Sequence, residues 1–98
     1  MEKRTSHVPL VRVKDLVRKG HYEIRISALK GAAAIGMSRD DILEIVLSLT
    51  VSDFYKSMTT YADYRVWQDV YRPTVTVGTI YLKVTVTENV IVVSFKEA

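Results

Sequence analysis

The chain has 98 residues, no cysteine and a formal net charge of +3, and 48% of its residues are hydrophobic. That apolar content suffices for one core without covalent staples, and the missing thiols exclude disulfides and thiolate metal sites. No apolar run approaches the roughly 20 residues that span a bilayer and the opening residues 1–6 lack a signal-like apolar stretch, so a soluble cytoplasmic protein of one domain, residues 1–98, is expected.

The charge is unevenly spread. Residues 1–30 carry eight Lys or Arg against three acids, and the remainder six against eight. A basic first third attracts polyanions, because each neutralised phosphate releases counterions. The same residues equally describe the solvated face of a helix. Basicity is permissive and no more.

Helical periodicity runs to about residue 50, and β-rich sequence follows. Leu10, Val13, Leu16 and Val17 share one helical face with charged residues around the other, and Gly20 is placed to end this helix. His21 to Ile26 reads as a short extended segment. Ser27 is the expected N-cap of a second helix, through Ala28, Leu29 and Ala32 to Ile35, closed by Gly36. Ser38-Arg39-Asp40-Asp41 resembles a capping box opening a third helix that runs to Leu49 and buries Ile42, Ile45, Val46 and Leu49. The paired acids suit the positive end of that helix dipole. Strands are then expected over Phe54–Thr60, Val66–Thr76, Thr79–Thr87 and Val90–Lys96, all rich in β-branched and aromatic residues. The implied fold class is α+β, a two-layer domain with the N-terminal helices on one face of a C-terminal antiparallel sheet.

A two-residue turn at Glu88-Asn89 sets Leu82 opposite Phe95 and Tyr81 opposite Lys96. It directs Leu82, Val84, Val86, Phe95, Val93 and Ile91 to the core, and Tyr81, Lys83, Ser94 and Lys96 to the open face. A second turn at Val77-Gly78 puts Trp67, Tyr71 and Val75 on the core face and Gln68, Arg72 and Thr74 on the open one. The open face then presents Gln68, Arg72, Tyr81, Lys83, Ser94 and Lys96, with no carboxylate among them, a surface suited to phosphates and stacked bases. Protection of the sheet from edge pairing is the structural alternative for the lysines. It suits Lys83 better than Lys96, which faces a tyrosine.

There is no Gly-rich phosphate loop, no nucleophile elbow and no zinc-ligand spacing, and His7 and His21 fit no triad. RNA cleavage requires none of these. The 2′-hydroxyl is already a nucleophile beside the phosphate, and Lys, Arg, Tyr and Gln can orient it, move its proton and stabilise the developing charge. Free lysine and tyrosine side chains titrate near about 10, so acid–base work near neutrality needs neighbours that lower the pKa, as clustered cations do.

The runs Ser52-Asp53-Phe54-Tyr55-Lys56-Ser57-Met58-Thr59-Thr60-Tyr61 and Trp67-Gln68-Asp69-Val70-Tyr71-Arg72-Pro73 resemble the signature of the motility quorum-sensing regulator (MqsR) toxins. The opening Met1-Glu2-Lys3-Arg4-Thr5 and the ending Ser94-Phe95-Lys96-Glu97 are similar too, while residues 20–50 match more loosely. The resemblance implies a RelE-like fold and endonucleolytic cleavage of mRNA at short GC-containing sites such as GCU, without metal or cofactor. It also implies neutralisation by a zinc-containing helix-turn-helix antitoxin of the MqsA type. Operator DNA is then reached only indirectly, through that antitoxin, and the pair controls its own operon, with links to biofilm formation, persistence and motility. The family's catalytic set falls on Lys56, Gln68, Tyr81 and Lys96, with Arg72 and Lys83 as candidate RNA contacts. Position 64 is Tyr where the family pattern has His.

The register derived above places Thr74, not Gln68, opposite Tyr81. Gln68 is then about 20 Å away at strand rise, unless Pro73 breaks the strand and bends it back. Three rival readings share the basic face: a non-catalytic RNA- or ribosome-binding module, a regulator acting only through a partner, and a RelE-fold relative aimed at gyrase.

Overall fold

The computed structural model describes residues 1–98. The order is β1 (Glu2–Lys3), α1 (Leu10–Arg18), β2 (Tyr22–Ile24), α2 (Ile26–Ala33), α3 (Arg39–Ser48), a 3-10 turn (Val51–Asp53), β3 (Phe54–Thr59), β4 (Trp67–Tyr71), β5 (Thr74–Val75), β6 (Gly78–Val86) and β7 (Val90–Glu97). The helices cover one face of a sheet ordered β1-β3-β4-β6-β7-β2, with β5 paired to β6. Val13, Leu16 and Val17 of α1, Ala28 and Ala32 of α2, and Ile42, Ile45 and Val46 of α3 pack on Tyr71, Ile80, Leu82, Val84, Val90, Val92 and Phe95 of the sheet. No helix is long and apolar enough to cross a membrane.

Local signals place the helix ends. Gly20 (φ 81°) closes α1, with the His21 N–H donating to the Leu16 carbonyl and the Gly20 N–H to that of Val17, the paired bonds of a Schellman motif. Gly36 (φ 75°) repeats the pattern after α2. Ser38 and Asp41 form the expected reciprocal capping box of α3. The start of α2 differs from expectation. Arg25, not Ser27, is its N-cap, and Ser27 instead donates its hydroxyl to the Val93 carbonyl at 2.8 Å, tying α2 to β7.

Both sheet edges come from the N-terminal half, so the sheet is neither wholly C-terminal nor wholly antiparallel. β2 pairs parallel to β7, and β1 pairs antiparallel to β3. Residues 2–3 carry no periodicity from which a strand could be read. They are held there by Asp69, 3% exposed, whose oxygens accept the backbone N–H of His7 at 2.9 and 3.1 Å and that of Val8 at 3.1 Å. Trp67 lies on the helix-side face but outside the core cluster. His7 stacks on it at 5.5 Å and the Lys3 ammonium sits 4.2 Å from its ring.

Both expected turns shift. Val86 pairs with Val90 across a three-residue loop, and no non-glycine residue adopts positive φ. A bulge at Val93 then restores Lys83 to Ser94, Leu82 to Phe95 and Tyr81 to Lys96. Val92 and Val90 therefore join Phe95 in the core cluster, in place of Val93 and Ile91. The other loop is Thr76-Val77, because Val75 pairs with Gly78. That moves the register by two residues, which preserves every face but changes every neighbour.

Tyr71 is 1% exposed and its hydroxyl meets no protein hydrogen-bond partner. Burial, reinforced by Asp69, pushes its phenol up to about 12. Folded and unfolded chains are both protonated there below about pH 10, so the stabilisation is intact. Between about pH 10 and the folded value only the unfolded chain loses the proton, and stability falls by on the order of 2 kcal/mol. Urea unfolding at about pH 9 and about pH 11 should show roughly half of this loss in the wild type and a smaller one in Tyr71→Phe. Equal losses in the two proteins would remove Tyr71 as the cause.

Candidate active site

The face of the sheet away from the helices carries three rows of side chains set by strand register. The central row is Lys56 on β3, Val70 on β4, Lys83 on β6 and Ser94 on β7. On one side lie Tyr81 and its partner Lys96, with Arg72 beside Tyr81 by continuation of the Tyr71–Leu82 pairing. On the other side Met58 pairs with Gln68, and Thr85 pairs with Ile91. A bulge stands at each end of the central row, at Tyr55 in β3 and Val93 in β7. Bulges re-aim side chains. Here they let Phe54 and Val92 face inward while Lys56 and Ser94, each two residues further on, face out.

The four residues from the resemblance and the two candidate RNA contacts all lie on this face, yet they are not equally close. Tyr81 is flanked by the Lys96 ammonium at 5.6 Å and the Lys83 ammonium at 6.0 Å from its ring. Gln68 stands two rows from Tyr81, about 13 Å along the strand, with the Lys83 row between. The expected bending-back at Pro73 does not occur. Pro73 interrupts the pairing without bending the strand back, since Tyr71–Leu82 and Thr74–Thr79 continue one register. The shifted turn alone brings Gln68 nearer than counting suggested.

The lysines differ in their surroundings. Lys56, with 18% of its side chain exposed, is bonded at 2.9 Å to Glu2, delivered by the β1 edge. That bond raises the Lys56 pKa against its partial desolvation, with smaller contributions in the same direction from Tyr81 and Tyr55. The same bond lowers the Glu2 carboxyl. Lys83 is half-buried and has no acidic partner. Burial first, then Lys96 and Lys56, lower its pKa. Lys96 is exposed at the end of β7.

A cationic corner adjoins Lys56. The Tyr55 ring is approached by the Arg72 guanidinium at 4.9 Å, the Lys56 ammonium at 5.4 Å and the Arg4 guanidinium at 5.8 Å, distances compatible with cation–π attraction. The largest concavity lies elsewhere, where β2 leads into α2, and contains none of these residues. The site is an open surface, as an extended polymer requires. No group of three or more His, Asp or Glu side chains stands where it could hold a metal ion.

A family model described as motility quorum-sensing regulator, toxin of MqsA, matches residues 5–97. The mRNA interferase toxin MqsR of Escherichia coli (strain K12) is 50% identical over 97 residues, covering 99% of each chain. The chain belongs to the MqsR toxin family.

Within this MqsR-family fold, sequence reading missed Glu2, Arg4 and Tyr55. Each lies inside a stretch that resembles the family, but nothing local says that β1 brings Glu2 onto Lys56. It also missed Asp69, whose signal was available. An acid between Gln68 and Val70 in an otherwise strand-like run is either exposed or bonded, and here it is buried and bonded. Tyr64 stands exposed on the loop between β3 and β4, as does Tyr61.

Proposed function

We propose that this chain is the toxin of a type II toxin–antitoxin pair and an endoribonuclease that cleaves mRNA without a metal, using the RNA 2′-hydroxyl as nucleophile. The observation that carries the reading is the Tyr81–Lys96 cross-strand pair, with Lys83 and Lys56 on the same open face. The name of the Escherichia coli relative supports it.

In this reading Lys56 and Lys96 hold the scissile phosphate and stabilise the charge that grows on its oxygens. The Glu2 bond keeps Lys56 cationic for that task. Tyr81 moves a proton or orients the ribose hydroxyl, Gln68 positions the RNA one nucleotide or more away, and Arg72 and Lys83 contact the strand. The preferred substrate is mRNA at short GC-containing sites of the GCU kind. The protein works as one domain in the cytoplasm, and a zinc-containing helix-turn-helix antitoxin of the MqsA type neutralises it and links it to operator DNA.

Purified protein incubated with a defined transcript and excess chelator should yield fragments ending in 2′,3′-cyclic phosphate and beginning with 5′-hydroxyl. Binding without cleavage, or cleavage abolished by the chelator, overturns the proposal. Expression of the chain alone should arrest growth, and co-expression of its antitoxin should relieve the arrest.

A further inference from the structure

We infer that Lys83 is the proton acceptor of the site, taking the proton from the ribose 2′-hydroxyl as that oxygen attacks the neighbouring phosphorus. The inference rests on the nuclease reading above and assigns one of its steps.

Position comes first. Lys83 lies on the interior strand β6, in the row between Tyr81 and Gln68, with Lys56 across β4 on one side and Lys96 on β7 on the other. Neighbouring strands are about 4.8 Å apart. A phosphate bridging Lys56 and Lys96 therefore crosses β6 between Lys83 and Tyr81, with both side chains beside it. Val70, laterally between Lys56 and Lys83, has no exposed surface although it belongs to this face. The lysine stems stand on either side of it, which keeps the base of the Lys83 side chain out of water.

Charge comes second. The groups that bear on Lys83 are Lys56 from β3, Lys96 from β7, Tyr81 two residues back on its own strand, and Arg72 beyond the end of β4. The acids of this face, Glu2 and Glu23, sit on the outermost strands, and Glu2 is engaged with Lys56. Desolvation and two neighbouring ammonium groups make Lys83 release its proton more readily than a free lysine. Lys56 is pushed the opposite way by Glu2. Two like groups in one site whose pKa values are driven apart divide the labour: one stays a fixed cation and the other exchanges protons.

The step balances. Neutral Lys83 Nζ accepts the 2′-hydroxyl proton and becomes an ammonium, and the 2′-oxygen forms a bond to phosphorus. The bond from phosphorus to the 5′-oxygen breaks, and that oxygen takes the proton of the Tyr81 hydroxyl. A 2′,3′-cyclic phosphate and a 5′-hydroxyl leave. Lys83 then loses its proton to solvent and Tyr81 regains one, so no net proton is consumed.

The test is single-turnover cleavage of a one-site RNA oligonucleotide by saturating protein, across the neutral and mildly alkaline range. The wild-type rate should rise about tenfold per pH unit on its acid limb. Lys83→Met should lower the rate by about 100-fold or more and flatten that limb, while RNA affinity changes only severalfold. Lys83→Arg separates the acceptor role from a merely phosphate-binding one, because a guanidinium keeps charge and reach but does not deprotonate. It should be as impaired as Lys83→Met, and near-normal cleavage by Lys83→Arg overturns the inference. The chain has no cysteine, so Lys83→Cys can be alkylated specifically with 2-bromoethylamine to a thioether analogue of lysine that is less basic. Restored cleavage with the acid limb moved to lower pH is the expected result, and an unmoved limb counts against the assignment. If the wild type itself leaves RNA intact, the nuclease reading fails. If the wild type cleaves and Lys83→Arg does too, only the Lys83 assignment fails.

Discussion

Lys56→Ala, Tyr81→Phe and Lys96→Ala are each expected to lower RNA cleavage by about 100-fold or more while leaving the fold in place. Tyr81 and Lys96 make no side-chain hydrogen bond or ion pair, and Lys96 is exposed. Losing them removes little that the native state depends on, and surface changes of this kind typically alter stability by about 0.5 kcal/mol or less. Lys56→Ala frees Glu2, which is more exposed than its partner and can return to water. Gln68→Ala, two rows away from Tyr81, should raise KM more than it lowers kcat, because it removes positioning that is shared by bound substrate and transition state. The measurement pairs cleavage rates with thermal unfolding of the same preparations. Near-normal cleavage in all three variants would remove these residues from the mechanism. Lost cleavage accompanied by a lowered Tm would reassign them to structure.

Gly31→Ala is expected to destabilise the protein by about 1–3 kcal/mol or more, against the direction that helix propensity dictates. Gly31 lies within α2, where alanine is ordinarily better by about 1 kcal/mol. A Cβ at this position would stand 1.9 Å from the Phe95 carbonyl oxygen and 3.0 Å from its carbonyl carbon. Those are backbone atoms of the sheet and have no rotamer to turn away, so either α2 lifts or the end of β7 moves. The second response reaches the active site, because the Lys96 Cβ is 3.6 Å from the added atom and Lys96 is the cross-strand partner of Tyr81. For a chain of this size each kcal/mol lowers Tm by about 4–8 °C. Thermal unfolding of Gly31→Ala should therefore show a clear fall in Tm, together with reduced cleavage by the surviving folded fraction. A variant as stable as the wild type or more so would mean that α2 does not press on β7 so closely.

What the sequence determines by itself is whatever depends on neighbours along the chain. Gly20, Gly36 and the Ser38–Asp41 box end or begin helices through bonds spanning only a few residues, so their types and spacing suffice to locate them. Alternation in β6 and β7 likewise sorts side chains to faces. A face survives an even error in register but not an odd one, and Tyr81 and Lys96 were legible together because the bulge in β7 offsets the one-residue shift of the turn at its start. Distances along a strand have no such protection. Gln68 was misplaced because a turn moved by a single position shifts every pairing by two residues. The tertiary structure alone decides which remote segments share an edge. The β1–β3 pairing brings Glu2 to Lys56, Asp69 holds the arm that makes it possible, and the surrounding strands isolate Lys83 from any acid. Those contacts join residues far apart in the chain, and their energy exists only once the sheet has closed around them. No local pattern can encode a charge partner that topology supplies.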